Sequence, residues 1–210
     1  MREPSTLWIR EIFWSAQGEG LKTGVPSIFI RFSGCQLRCP YCDTKDSWDR
    51  GEYRSREDII SAVWDIEKKY PSSQVVITGG EPLEQDLQKL VQDLKKADRY
   101  VALETNGLHY QDLPLDWWTV SPKDKGDFFI ARELVPKINE VKLVVNRNLT
   151  LEVVRDIRSR AGKAAIFLQP QAGSGNASYE DTFNFYQRCI KEEIPGIRLG
   201  WQLHKVYGIN

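Results

Sequence analysis

Three of the chain's four cysteines stand within eight residues, Cys35, Cys39 and Cys42, inside the stretch GCQLRCPYCDT that runs from Gly34 to Thr44. Three kinds of chemistry compete for them. A structural zinc site takes four ligands, commonly as two pairs, and here no fourth cysteine or histidine is near; the two histidines are His109 and His204. A redox pair of the CxxC kind, Cys39 and Cys42, leaves Cys35 without a part to play. The third reading is an iron–sulfur cluster. Ordinary electron-transfer clusters use four cysteines, so three thiolates leave one iron open to a ligand that a cofactor supplies. Cys189, between Arg188 and Ile190 in a helical pattern, is expected to be a buried small side chain.

The elements that must position this loop alternate between β-type and helical runs. Strands are predicted at Ser27–Phe32, Gln74–Thr78, Tyr100–Glu104, Trp117–Val120, Glu140–Val145, Ala164–Gln169 and, last, over IRLGWQL. Helices are predicted from a Ser55 cap with Asp58 three residues on, with Ile59, Val63 and Ile66 on one face, and over LEQDLQKLVQDLKKA, with Leu83, Leu87, Leu90 and Leu94 on one side. Two more follow, at about Leu151–Ala161 and Tyr179–Glu193. The glycine- and serine-rich stretch Gln171 to Ser178 is expected to be a loop. Such alternation argues for a parallel sheet with crossover helices. Six of the strands end in polar or glycine-rich motifs: the cysteine loop, TGGEP, ETNG, SPK, QPQ and QLHK. In a parallel α/β barrel these ends share one rim, where ligands bind. One large site is therefore expected.

Composition narrows the classes. The 210 residues suit one domain, 1–210, and 29 Lys and Arg balance 29 Asp and Glu. Such neutrality gives no bulk attraction to nucleic acid or an anionic membrane. No apolar run approaches the ~20 residues of a membrane span, and MREPSTLWIRE lacks a signal-peptide core. The expectation is a cytoplasmic protein with reduced thiols.

The CxxxCxxC spacing with Tyr41 before the last cysteine, followed one strand later by TGGEP, resembles the radical S-adenosylmethionine superfamily. More closely, EIFWSAQGEG, IFIRFSGCQLRCPYCDT, ITGGEP, LETNG, SPK, LQPQ and the terminal LHKVYGIN, in that order, resemble the 7-carboxy-7-deazaguanine synthase family over essentially the whole chain. That resemblance implies a shortened, incomplete (β/α) barrel of the radical S-adenosylmethionine type, usually a homodimer. It implies a 4Fe–4S cluster on Cys35, Cys39 and Cys42 whose fourth iron binds S-adenosylmethionine, a cofactor cleaved to a 5′-deoxyadenosyl radical. The implied reaction converts 6-carboxy-5,6,7,8-tetrahydropterin to 7-carboxy-7-deazaguanine with loss of ammonia, in 7-deazapurine (queuosine-type) biosynthesis. Mg²⁺ is implied as well, held by the Thr44 hydroxyl, together with an electron donor such as flavodoxin or ferredoxin. No direct contact with nucleic acid or membrane is expected. A glycyl-radical activating enzyme shares the size and cysteine spacing but does not account for QGEG or the His-Lys near the end.

Residue by residue, the resemblance places the cofactor against Tyr41, Cys42 and Asp43, then Gly80, then Ser121, Pro122 and Lys123, then Gln169, Pro170 and Gln171. Glycine at Gly79 and Gly80 suits close backbone approach. Substrate contacts fall on Ala16, Gln17, Gly18, Glu19, Thr78, His204 and Asn210, with Arg31 for the pterin carboxylate; Glu104, at the end of a strand on the rim, suits either substrate or cofactor. The chemistry of these side chains agrees: Glu19 accepts from ring N–H groups, Gln17 donates or accepts, and Arg31 suits a bidentate carboxylate. The chain departs from the family pattern at Ala16, where a larger residue is common, at Leu203, where a hydroxyl is common, and at Ala172 and Gly173, where an Asp is common.

Overall fold

The computed structural model describes residues 6–72, 74–171 and 175–209. Among the described residues nine strands form one sheet in the order β3-β1-β2-β4-β5-β6-β7-β8-β9. They are β1 (Thr6–Ala16), β2 (Pro26–Phe32), β3 (Glu52–Ser55), β4 (Gln74–Gly79), β5 (Tyr100–Thr105), β6 (Trp117–Val120), β7 (Glu140–Val144), β8 (Ala165–Gln169) and β9 (Ile197–Leu199). Five α-helices accompany them among the described residues: α1 (Arg56–Lys69), α2 (Gln88–Lys96), α3 (Leu151–Arg160), α4 (Gly175–Lys191) and α5 (Leu203–Tyr207). From β2 to β9 every neighbouring pair is parallel. The edge strands β3 and β9 do not pair, so the sheet is an incomplete barrel, left open. No helix among the described residues is long and apolar enough to cross a membrane.

Side chains alternate across each strand with period two, and this alternation sorts core from site. Ile28, Ile30 and Phe32 of β2, Val75 and Ile77 of β4, Val101 and Leu103 of β5, and Val141 and Leu143 of β7 join the large buried core that also holds the apolar helix residues. The interleaved residues face the other way. Phe29, Val76 and Ala102 form a small cluster there with Phe13, Tyr100 and Trp117. Arg31, Thr78, Glu104 and Lys142 follow on that second face by the same alternation. Each strand is thus apolar behind and increasingly polar in front as it nears its C-terminal end.

The structure departs from the predicted elements in four places. The long β1 pairs antiparallel with β2 and with β3, so the sheet is mixed at this edge. Helix α2 starts at Gln88, not near Leu83. Pro82 instead opens a 3-10 turn whose Leu83 amide is taken by the Glu81 carboxylate at 3.0 Å. The Gln111 side chain then accepts from Leu87 N at 3.1 Å and donates to Gln85 O at 2.6 Å, so side chains satisfy this backbone. Leu83 and Leu87 are buried all the same. Helix α4 begins at Gly175, inside the stretch expected to be a loop. Finally, β9 ends at Leu199 and the chain turns into α5, so His204 sits on a short helix and not on a strand. The Ser55 cap of α1 is as predicted, accepting from Asp58 N at 3.1 Å.

Candidate functional site

The C-terminal ends of the strands do share one rim, and a cleft of about 380 Å³ opens there. The cysteine loop forms one wall, with Cys35, Cys39, Tyr41, Cys42, Asp43 and Thr44. Thr78 and Gly80 after β4 and Glu104 on β5 continue the lining, as do Ser121 and Lys123 after β6 and Gln169 and Pro170 after β8. Ala16, Gln17, Gly18, Glu19, Arg31 and His204 complete the predicted residues on the wall. Pro122 and Gln171 do not line it. Asn210, Ala172 and Gly173 lie outside the described residues.

QGEG reaches the cleft from an unexpected side. Because β1 runs antiparallel to β2, Ala16 pairs with Pro26, at the end of the sheet opposite the rim. The chain then crosses beneath the sheet. Lys22 Nζ lies over the rings of Tyr100 and Trp117, the first residues of β5 and β6, at 4.4 and 4.7 Å. Leu21 N donates to the buried Glu140 at the start of β7 at 2.7 Å. Gly20, with φ +70, is pressed so closely on Glu140 that a Cβ would stand 2.3 Å from its Oε1. This loop supplies the floor, with Gln17 and Glu19 pointing into the cleft from below.

The floor is a charged network. Lys142 Nζ stands 2.7 Å from Glu19 Oε2 and 3.2 Å from Glu104 Oε1, its side chain only 6% exposed. Gln17 Nε2 and Thr78 Oγ1 donate to Glu104 at 3.0 and 3.3 Å. Gln202 Nε2 donates to Glu19 at 2.9 Å and to Asp43 at 3.3 Å, linking the floor to the cysteine wall. Burial works against charge on Glu19, yet the Lys142 ammonium and hydrogen bonds from Lys142 and Gln202 hold its pKa down at about 2. Burial opposes the Lys142 charge too, and Glu104 and Glu19 override it, so its pKa stands above the ordinary lysine value. Arg31 donates to Glu11 at 2.5 Å and stacks over Phe13 at 4.8 Å, so its guanidinium is already paired at one nitrogen.

The cysteine loop is held by backbone. Cys35 N donates to Trp48 O at 3.1 Å, Gly34 N to Ser47 O at 2.9 Å and Cys42 N to Cys39 O at 2.9 Å. The TGGEP turn clasps it: Gly80 N donates to Phe32 O and Glu81 N to Gly34 O, at 2.9 and 2.8 Å. A Cβ on Gly79 would stand 2.1 Å from Phe32 O, and one on Gly80 2.1 Å from Gly34 O. Glycine is thus required here by the approach of two backbone segments, a reason visible without any ligand. Glu81 is buried beside them. Burial pushes its pKa up to about 7 against the lowering pull of donors at Asn106 N, Thr105 Oγ1 and Leu83 N.

The donor set fits a cluster better than a single zinc. Zinc thiolates at ~2.3 Å put their sulfurs ~3.8 Å apart. Among the described residues the one group of three potential metal-binding side chains within 4.8 Å of one another is Glu19, Asp43 and His204, not the three cysteines. A polar cofactor also finds partners beside the thiols. The amide of Gln169 and the Nδ2 of Asn106 line the cleft, buried, with no hydrogen-bond partner.

Sequence reasoning missed Lys142, Glu140, Gln202 and Asn106. The signal for the first two was present: EVKLVV is an apolar strand carrying two charges at i and i+2, hence on one face.

The Radical SAM superfamily model matches residues 29–198. The chain belongs to that superfamily, and membership implies a 4Fe–4S cluster and S-adenosylmethionine. The chain is 36% identical over 201 residues to the 7-carboxy-7-deazaguanine synthase of Bacteroides thetaiotaomicron, covering 96% of this chain and 97% of that one. It is 32% identical over 228 residues to that of Escherichia coli K12, covering 96% and 98%. The crystal structure of QueE from Escherichia coli superposes with a TM-score of 0.78 at 31% identity, covering 95% of both chains. Within the superfamily, this chain belongs to the 7-carboxy-7-deazaguanine synthase family.

Proposed function

We propose that the protein is a radical S-adenosylmethionine lyase that converts 6-carboxy-5,6,7,8-tetrahydropterin to 7-carboxy-7-deazaguanine with loss of ammonia, a step toward 7-deazapurine nucleosides. One observation carries the reading: three thiols on one wall of a cleft face a floor of paired carboxylates, Glu19 and Glu104, in a chain that a synthase relative matches over 96% of its length. The glycyl-radical activating alternative gives no role to QGEG, the segment that supplies this floor.

In this reading Cys35, Cys39 and Cys42 hold the cluster. Tyr41, Asp43, Gly80, Ser121, Lys123, Gln169 and Pro170 surround S-adenosylmethionine, with Pro122 and Gln171 beside them. Together the cluster and S-adenosylmethionine, when bound, supply abstraction of a hydrogen atom from the substrate. Glu19 and Glu104 accept from the N–H groups of the pterin's guanidine-like edge, and Gln17 pairs with the same edge. Thr78, His204 and Asn210 add contacts, and the free side of the Arg31 guanidinium takes the pterin carboxylate. The Thr44 hydroxyl, which donates to Asp43 at 3.0 Å, offers Mg²⁺ a hard oxygen of the kind it prefers. A low-potential flavodoxin or ferredoxin as electron donor, a homodimer and a cytoplasmic location belong to the same proposal.

The test is anaerobic reconstitution followed by incubation with the carboxy-tetrahydropterin, S-adenosylmethionine and reductant, with and without Mg²⁺. The expected result is 7-carboxy-7-deazaguanine, more of it with the metal. Iron-loaded protein that cleaves S-adenosylmethionine but forms no deazaguanine would refute the substrate; tightly bound zinc without iron or sulfide would refute the cluster.

A further inference from the structure

Among the described residues Lys142 is the cation buried between the two carboxylates of the floor. Its neighbours from each packed element are accounted for. Glu140, two residues earlier on β7, is committed to Leu21 N and to Thr119 Oγ1 at 2.7 and 2.9 Å. Glu19 comes from the floor loop and Glu104 from β5. Asp43 on the cysteine loop is tied to Gln202, whose Oε1 takes Lys205 Nζ at 2.6 Å. His204 on α5 stands close enough to Glu19 to help hold it ionised. One ammonium therefore pairs directly with two carboxylates, and Glu140 adds a third negative charge beside it.

We propose that Lys142 is a positioning residue that sets the specificity of the site: by pairing with Glu19 and Glu104 together, at 2.7 and 3.2 Å, it fixes the floor as a set of acceptors that takes only a ligand edge of adjacent N–H donors. The inference rests on the functional reading above and names the residue that enforces it. Two carboxylates this close cannot both stay charged in a half-buried site without a cation between them. Once one is protonated it becomes a donor, and the floor tolerates a carbonyl where the substrate has an amino group. A site built of acceptors rejects such an analogue because its own groups are left facing like lone pairs. Lys142 does not itself need to touch the ligand.

The experiment is equilibrium binding of two stable ligands to the anaerobically reconstituted protein, with no turnover required. Pterin-6-carboxylate carries the guanidine-like edge; lumazine-6-carboxylate has a carbonyl in place of the 2-amino group. Wild type should favour the pterin by roughly 100-fold or more, the scale of discrimination by unpaired polar groups. Lys142→Met should cut that preference at least about tenfold, while Lys142→Arg should retain it. The cluster absorbance and S-adenosylmethionine affinity show whether each variant is folded. Should Lys142→Met not fold, Lys142→Gln takes its place, with the same loss of preference expected because the amide cannot pair with both carboxylates. Unchanged preference in folded Lys142→Met or Lys142→Gln overturns the inference alone. Wild type that binds neither ligand and turns over no carboxy-tetrahydropterin overturns the functional reading and this inference with it.

Discussion

Replacing Gly18 by alanine adds one methyl group where the floor loop meets helix α5. The backbone there lies outside the left-handed region, so alanine itself is permitted. The obstacle is His204: the new Cβ would stand 2.4 Å from its Nδ1 and 3.3 Å from its Cγ, while His204 N is at an ordinary 3.4 Å. The main chain can stay, including the 2.9 Å bond from Leu203 N to Gly18 O. The imidazole must retreat by about 1 Å, and a displacement of that size at a substrate-positioning group costs roughly 100-fold in rate. The cost in stability is smaller, about 1–3 kcal/mol for one overpacked methyl. The assay is kcat/KM for the carboxy-tetrahydropterin under anaerobic conditions, alongside the melting temperature. A drop near 100-fold with little loss of stability is expected. The same change in a His204→Ala background should have almost no effect, because the clash is gone and the two sites are coupled. Full activity in Gly18→Ala, or a loss that persists without His204, would refute the argument that Gly18 is small so that His204 can be placed.

Alanine at Cys35, Cys39 or Cys42 should abolish the cluster absorbance and S-adenosylmethionine cleavage, while Cys189→Ala keeps both at a cost of about 1–2 kcal/mol for a small core cavity; a clusterless Cys189→Ala protein would contradict this. Thr44→Val should flatten the response of turnover to Mg²⁺ and leave the cluster spectrum unchanged, since it removes a hard oxygen and no thiolate; an undiminished metal response would remove Thr44 from the magnesium site. Glu81, with a folded pKa of about 7 against an ordinary 4.5, binds its proton more tightly folded than unfolded. Its contribution to stability therefore falls as pH rises from 4.5 through 7, by something on the order of 3 kcal/mol. Urea unfolding of Glu81→Gln should show a shallower decline over that window, and identical slopes would refute the shift. Gly20→Ala combines a φ of +70 with a Cβ 2.3 Å from Glu140, so it should weaken pterin binding by at least about tenfold through a displaced floor; an unchanged binding constant would mean that the loop has another seat.

Much of this protein was legible in its sequence because the relevant physics is local. The cysteine spacing and the glycines of TGGEP mark the cluster loop and its clasp, since ligand count and close backbone approach leave few residue choices. Period-two alternation marks the strands, and their polar ends mark the rim. What failed locally failed for tertiary reasons. Helix α2 lost its first turn because Glu81 and Gln111, neither within it, satisfy the backbone from Leu83 to Leu87. The last strand stopped at Leu199, and Gly200 packs so closely on Gln169 that a Cβ would stand 1.7 Å from its Oε1. Several residues of the floor could be named from the sequence, but their meeting around Lys142 could not. QGEG follows the strand that runs backwards, so only the antiparallel pairing of β1 with β2 carries it under β5, β6 and β7 and up beside Lys142. Chain positions 19, 104 and 142 share one ion-pair network, and their separation along the chain says nothing of it. An amino-acid sequence names residue types and local periods; which charges meet in the dark of a cleft is decided by the order in which strands lie side by side.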